Sequence, residues 1–196
     1  EVARRFDALG GVGALELNVS CPNIKEGGAQ FGTDPRLLGQ VVAACRKATK
    51  LPLITKLSPN VVSIAPYAQA AEAAGSDALS IMNSFPAMAI DIETRRPQLA
   101  NVTGGLSGPC IKPIAIKLVW EAAKAVKIPI IGMGGIQSAA DAIEFLMAGA
   151  SAVAVGTANF YEPQTALRVI AGLQEFMRQR SIGDVRELIG SVRTGK

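Results

Sequence analysis

The sequence has no histidine and only three cysteines among its 196 residues. Histidine is a common zinc ligand and the commonest general base, so its absence argues against a zinc enzyme and against imidazole chemistry. The cysteines stand at positions 21, 45 and 110, an odd number without paired spacing. This pattern argues against a disulfide scaffold.

Long apolar runs and clustered basic residues are missing as well. No run reaches the roughly 18 apolar residues of a membrane span, and the charged start from Glu1 to Asp7 lacks the apolar centre of a signal peptide. The net charge is +4, but lysine and arginine are dispersed and are not interleaved with aromatic residues. We therefore expect a cytoplasmic protein that binds no membrane and no nucleic acid.

The residues that are present, 49% hydrophobic and 18% charged, predict a single globular domain over 1–196. Strand-like apolar segments alternate with helical ones. The predicted strands cover 14–19, 51–57, 77–82, 128–133 and 151–155, and the predicted helices cover 1–9, 34–49, 63–74, 113–126, 138–148 and 163–179. The connection over 84–111 is long and rich in glycine and proline, which indicates a functional excursion.

This alternation predicts an α/β fold, a (β/α)8 barrel of which about the last five βα units are present. An internal repeat supports the register, because Leu51–Lys56 resembles Ile128–Met133. A complete barrel needs eight strands, so we expect strands 4 to 8 here, with about three units absent from the amino end. A doubly wound open sheet is the alternative.

Each predicted strand ends in polar residues or glycine, and parallel strands bring their carboxyl ends to one face. In Asn18–Asn23, Cys21 is a candidate base or nucleophile, with a small buried hydrophobe as the alternative. Lys56 ends an apolar strand, so we expect it to contact an anion or an electron-rich ligand. The alternative is a surface lysine whose charged end reaches solvent. Gly134–Gly135 and Gly156–Thr157 together favour phosphate binding, although either pair alone could be a turn. Cys45 and Cys110 are predicted to be packing residues.

These motifs, together with Lys56–Asn60, Gly104–Pro109, Gly132–Gly135 and Val155–Phe160, resemble the dihydroorotate dehydrogenase family of flavin-dependent barrel enzymes. Cysteine at position 21 is similar to the soluble class, and Ile24–Gly32 is similar to the NAD-linked branch. The resemblance implies oxidation of dihydroorotate to orotate in pyrimidine synthesis. Cys21 would take the proton from C5 while a hydride leaves C6 for N5 of FMN.

The resemblance also implies the roles of the binding residues. Those expected to hold the pyrimidine ring are Asn18, Asn23, Asn83 and Ser84. Those expected to bind FMN are Asn18, Lys56, Met82, Gly108, Gly134, Gly135, Gly156 and Thr157, with Lys56 beside the N1 and O2 edge of the flavin and the last four residues at its phosphate end.

A partner follows from the NAD-linked branch, namely an electron-transfer subunit that carries FAD and a 2Fe-2S cluster, in a heterotetramer with two copies of each subunit. This chain has no cysteine cluster to ligate such a centre itself. Three alternatives stay open: a dihydropyrimidine dehydrogenase-like subunit that acts on uracil or thymine, a catalytically silent barrel scaffold, and a phosphosugar-binding barrel that leaves Cys21 unexplained. Without its first units, the isolated chain is expected to bind FMN poorly.

Overall fold

The structure is a computed structural model that describes residues 1–19 and 32–195. The helices are α1 Val2–Ala8, α2 Pro35–Arg46, α3 Ala65–Ala73, α4 Lys112–Ala123, α5 Ala139–Ala148 and α6 Thr165–Gln179. The strands are β1 Leu15–Asn18, β2 Leu53–Lys56, β3 Ala78–Ile81, β4 Phe85–Ala87, β5 Ile90–Asp91, β6 Arg96–Pro97, β7 Gly104–Leu106, β8 Ile130–Met133 and β9 Ala152–Ala154. Short 3-10 helices cover Pro109–Ile111, Thr157–Phe160 and Val185–Glu187.

The main sheet is parallel, with the strand order β1-β2-β3-β8-β9. The order in space follows the order in the chain, without the reversal that defines a doubly wound sheet. The consecutive helices from α2 to α6 contact one another side by side, so they form one layer. The predicted α/β fold with five βα units of a (β/α)8 barrel is confirmed, and the open-sheet alternative is wrong.

Two of the predicted helix boundaries have the expected physical cause. The Asp34 carboxylate accepts a hydrogen bond from the Arg36 N–H at the start of α2, and Pro35 follows it in the first turn. Ser138 and Asp141 form a capping box at the start of α5. Gly149 ends α5 with a φ of 117°, a conformation that favours glycine.

The excursion between β3 and α4 differs from the prediction, which gave it no regular structure. It carries two antiparallel ribbons, in which β4 pairs with β7 and β5 pairs with β6. These strands are two or three residues long and contain Gly104, Gly105 and two prolines, so they lack the apolar alternation by which strands are predicted.

The hydrophobic core lies between the main sheet and the helix layer. Leu53, Leu79 and Ile130 face the helices and are at most 2% exposed. They belong to one buried cluster with Val42 of α2 and Phe145 of α5. Because side chains alternate along a strand, the neighbours of these residues within each strand belong to the opposite face of the sheet. That face bears the polar residues treated below.

Candidate functional site

A cavity of about 340 Å³ opens at the carboxyl edge of the main sheet. It lies where β3, β8 and β9 end, and the segment after β7 covers its side. This is the edge at which parallel barrels place their binding sites. The lining residues are Met82, Asn83, Ser84, Gly105, Ser107, Gly108, Ile111, Met133, Gly134, Gly135, Ala154, Val155, Gly156 and Thr157.

Eight of the predicted site residues line this one cavity, although they come from four separate segments of the chain. They are Met82, Asn83, Ser84, Gly108, Gly134, Gly135, Gly156 and Thr157. Cys21 and Asn23 lie outside the described residues, so the structure adds nothing about them. The structure thus brings these eight residues together, while their individual roles stay predictions.

Asn18 and Lys56 lie beside the cavity rather than in its wall. They end β1 and β2 and are direct register partners. The Nδ2 of Asn83 donates to Oδ1 of Asn18 at 3.4 Å, which links the end of β1 to the cavity wall. Two carboxamides at the same edge offer both donors and acceptors to a planar polar ligand.

Gly134 and Gly135 form one wall of the cavity, the glycine wall, which leaves no room for side chains. A Cβ on Gly135 would lie 2.8 Å from the Gly108 carbonyl oxygen and 3.1 Å from the Pro109 Cα. A Cβ on Gly134 would lie 3.1 Å from the Ala115 Cβ. The ends of β8 and of the Gly104–Pro109 segment are therefore in backbone contact, which brings peptide groups to the cavity surface.

Those peptide groups have hydrogen-bonding capacity to spare. Outside helices and sheet ladders, and counting only bonds between described residues, the backbone N–H groups of Gly134, Gly135, Gly156 and Thr157 donate to no backbone carbonyl. Backbone N–H groups grouped in this way bind phosphate well, because they offer donors without the bulk or flexibility of side chains.

Ser107 and Thr157 join two walls of the cavity. The Thr157 hydroxyl donates to the Ser107 hydroxyl oxygen at 3.0 Å, across a separation of 50 residues. Ser107 was not predicted as a site residue, and neither were the other lining residues Gly105, Ile111, Met133, Ala154 and Val155. Most of them belong to the motifs quoted above, so the signal was present at the level of the motif but not of the residue.

Lys56 has a neighbour that the sequence analysis missed. Its Nζ lies 3.6 Å from Oε1 of Glu16, and the other carboxylate oxygen of Glu16 accepts a hydrogen bond from Ser80 at 2.8 Å. Ser80 is fully buried. The sequence around Glu16 does not indicate these contacts, because Lys56 and Ser80 lie on the other strands β2 and β3.

A second ionic group supports the glycine wall from behind. The Lys112 Nζ lies 2.5 Å from Asp141 and 2.7 Å from Glu144. These two carboxylates raise the pKa of Lys112. Burial raises the pKa of Asp141, but hydrogen bonds from Lys112, the Gln137 N–H and Ser138 outweigh it, so the net shift is downward. A Cβ on Gly135 would lie 2.9 Å from the Lys112 Cβ, so this group packs directly against the wall.

The two described cysteines differ from each other. Cys45 is half-buried in α2, where burial raises the pKa of its thiol, in agreement with the predicted packing role. Cys110 is exposed, so its predicted packing role is wrong. It lies in the 3-10 helix Pro109–Ile111, in which Ile111 rather than Cys110 is buried.

No group of three or more histidine, cysteine, aspartate or glutamate residues is arranged to hold a metal ion within residues 1–19 and 32–195. In the same part of the chain, no helix is both long and apolar enough to span a membrane.

Comparison with known proteins identifies the family. The family model described as "Dihydroorotate dehydrogenase" matches residues 1–177. The chain belongs to the dihydroorotate dehydrogenase family. The resemblance on which the sequence analysis relied is thereby confirmed at the level of the family.

Two relatives within the family show how much of its length the chain covers. The chain is 57% identical over 192 residues to the dihydroorotate dehydrogenase B (NAD(+)) catalytic subunit of Trichlorobacter lovleyi, and it covers 98% of itself and 63% of that protein. It is 54% identical to the subunit of the same name from Geobacter sulfurreducens, with the same coverage. The chain thus spans about 63% of the length of these curated relatives.

Solved structures of the family share the fold. The chain aligns with the ligand-free dihydroorotate dehydrogenase of Eimeria tenella at a TM-score of 0.79 and 27% identity, over 96% of this chain and 58% of that one. It aligns with the same enzyme in complex with ferulenol at a TM-score of 0.76 and 26% identity, over 92% and 54% of the two chains.

Proposed function

We propose that the full-length protein oxidises dihydroorotate to orotate, with FMN as the electron acceptor, as the catalytic subunit of an NAD-linked enzyme in pyrimidine synthesis. The observation that carries the proposal is a cavity at the carboxyl edge of the sheet, lined by eight of the residues that the family resemblance assigned to substrate and flavin. The names of the relatives, each an NAD(+) catalytic subunit, supply the reaction and the acceptor.

The close backbone contacts and the peptide N–H groups of the cavity fit FMN. Gly108 and Gly135 approach each other so closely that a side chain at Gly135 would collide with backbone. The neighbouring peptide N–H groups suit the phosphate of FMN. We assign the phosphate end to Gly134, Gly135, Gly156 and Thr157, and the ring end to Met82, Gly108, Asn18 and Lys56.

When bound, FMN would supply a hydride acceptor for C6 of the substrate. The residues of the chain would do the rest. The carboxamides of Asn18, Asn23 and Asn83, together with Ser84, would hold the pyrimidine ring by its donors and acceptors. Cys21 would take the proton from C5, as the family resemblance implies, because a cysteine can form a thiolate near neutral pH and so act as a general base. Lys56 would place a positive charge beside the ring of the cofactor.

The remaining proposals concern the whole protein. The chain forms part of a single FMN-binding barrel domain, to which it contributes strands 4 to 8. Electrons leave through a partner subunit with FAD and a 2Fe-2S cluster, in a heterotetramer of two catalytic and two electron-transfer subunits. The assembly works in the cytoplasm.

The experiment is the visible spectrum of the full-length protein, purified with its electron-transfer subunit, before and after anaerobic addition of dihydroorotate. Bleaching of a flavin band without NAD supports the proposal. A flavin that stays oxidised with dihydroorotate but bleaches with dihydrouracil would show that the substrate is not dihydroorotate, and it would favour a dihydropyrimidine dehydrogenase-like subunit. A full-length protein without flavin would be a silent scaffold, and the proposal would be wrong.

A further inference from the structure

The face of the sheet opposite the core carries an ionic cluster, which we call the lumen cluster: Glu16, Lys56 and Ser80. Its members lie on the adjacent strands β1, β2 and β3. Lys56 and Ser80 are register partners, whereas the register partner of Glu16 is Ile54, two residues before Lys56. The Glu16 side chain therefore reaches towards the carboxyl edge to meet both other members.

The carboxylate is held at two points. Ser80 donates to Oε2 at 2.8 Å, and Oε1 lies 3.6 Å from the Lys56 ammonium. Ser80 is fully buried, and a hydroxyl has a single proton to donate. The hydrogen bond from Ser80 therefore fixes the orientation of the Glu16 carboxylate. Because Glu16 lies two register positions before Lys56, the carboxylate approaches the ammonium from the side away from the carboxyl ends of the strands.

The cluster is not an ordinary surface ion pair. The side chains of Lys56 and Glu16 are 21% and 38% exposed, and both belong to the face of the sheet opposite the core, with Lys56 at the carboxyl end of β2. An ammonium has three donors, and at most one is directed at Glu16. The other donors are left for a ligand at the carboxyl end of β2, where the proposed function puts the flavin ring.

We infer that Glu16, anchored by Ser80, is a positioning residue that fixes the Lys56 ammonium and reduces the positive charge it presents to the flavin. The inference rests on the proposed function and adds two residues to it. Reduction of a flavin adds negative charge, so a nearby cation favours the reduced form and a carboxylate beside that cation weakens the effect. Glu16 would thereby keep the reduction potential of the flavin lower than Lys56 alone would set it.

The test is the midpoint potential of the flavin in the full-length holoenzyme, measured by equilibration with redox dyes. Glu16→Gln keeps the size of the side chain and an oxygen that can accept from Ser80, but removes the charge. We expect the reduced flavin to bind about tenfold more tightly relative to the oxidised flavin, which raises the two-electron midpoint potential by about 30 mV. Glu175→Gln, on the exposed side of α6, is the charge-matched control and should leave the potential unchanged.

Ser80→Ala supplies a second variant that keeps the charge. Without its anchor, the partly exposed carboxylate can turn to water, so the potential should rise by less than in Glu16→Gln. In the double variant, Ser80→Ala should add nothing to Glu16→Gln, because the serine acts through the glutamate.

The outcomes separate the inference from the function on which it rests. A wild-type full-length protein that carries no flavin overturns both. A wild-type protein that carries a flavin reducible by dihydroorotate, with an unchanged potential in Glu16→Gln and Ser80→Ala, overturns the inference alone. An additive effect of the two substitutions would also overturn it, since the serine would then act independently of Glu16.

Discussion

Gly135 and Gly108 lie in backbone contact, so that a Cβ on Gly135 would be 2.8 Å from the carbonyl oxygen of Gly108. The φ of Gly135 is 79°, which side chains also disfavour. This contact joins the end of β8 to the segment that follows β7. It sets the position of the peptide groups to which the proposed function assigns the phosphate of FMN.

The first prediction compares two glycines of the cavity. Gly135→Ala should lower the free energy of unfolding of the full-length protein by about 1–3 kcal/mol and should also reduce flavin content, because both the clash and the φ oppose it. At Gly156 an added Cβ meets no described atom within 4 Å, and φ is negative. Gly156→Ala should therefore keep stability within about 0.5 kcal/mol.

The two variants differ in what they report about the ligand. If flavin occupies the cavity, the methyl of Gly156→Ala should raise the Kd of FMN about tenfold, which is about 1.4 kcal/mol, without loss of stability. Urea unfolding and flavin titration of the full-length apoprotein measure the two quantities separately. Unchanged flavin affinity in both variants would show that the phosphate end is elsewhere.

Much of this arrangement follows from the sequence, for an identifiable reason. A strand-terminal motif such as Gly134–Gly135 is local, and parallel topology carries it to a known edge. The caps at Asp34 and Ser138 are local as well, because each uses a backbone N–H within three residues. Local chemistry combined with one topological rule was sufficient for these features.

The features that the sequence did not predict depend on contacts between distant segments. Glu16 meets Ser80 across 64 residues, and Thr157 meets Ser107 across 50. The strands of the excursion are short and are defined by pairing rather than by apolar pattern. The exposure of Cys110 likewise depends on how a three-residue 3-10 helix sits on the fold, which its sequence neighbours do not determine.

The second prediction uses two glycines inside helices. An added Cβ at Gly39 of α2 would lie 3.7 Å from the Ala70 carbonyl oxygen, an ordinary contact. Gly39→Ala should stabilise the protein by about 0.5–1 kcal/mol through helix propensity and a less flexible unfolded chain. The matched variant is Gly172→Ala in α6, where the Cβ would lie 2.5 Å from the Ala139 Cβ.

Gly172→Ala should cost about 1–3 kcal/mol, because two packed helices would have to separate. The midpoints of urea unfolding of the full-length protein give both values. If both substitutions stabilise the protein, helix propensity alone governs these positions. If both destabilise it, packing alone governs them, and either result would contradict the prediction.

The third prediction concerns pH and the ionic group behind the glycine wall. The folded pKa of Asp141 is lowered, so its contribution to stability is present above the ordinary aspartate value near 3.8 and is lost as the pH falls through the folded value. Asp141→Asn should destabilise the protein by about 1–3 kcal/mol at pH 7, since it removes a carboxylate that accepts from Lys112 and caps α5.

The difference between Asp141→Asn and wild type should shrink when unfolding is measured below pH 4. Glu144→Gln is the control on the same lysine. The Glu144 side chain is 49% exposed, so its removal should cost less than about 1 kcal/mol. A difference for Asp141→Asn that is constant from pH 7 to pH 3 would mean that the charge of Asp141 does not contribute.

The fourth prediction concerns the proposed base. Cys21→Ser in the full-length enzyme should lower kcat for dihydroorotate oxidation about 10²–10⁴-fold and move the remaining activity to higher pH, because a hydroxyl loses its proton far less readily than a thiol. Cys45→Ala is the control, since the Cys45 thiol is half-buried in α2 and its pKa is raised by burial. It should leave the pH profile unchanged.

Flavin binding separates a missing base from a damaged site. Cys21→Ser should retain FMN, because none of the residues assigned to the phosphate end is altered, and it should still bind orotate as judged by the shift of the flavin spectrum. Slow reduction with normal binding at every pH assigns the proton transfer to Cys21. Wild-type rates across the pH range in Cys21→Ser would remove Cys21 from the mechanism.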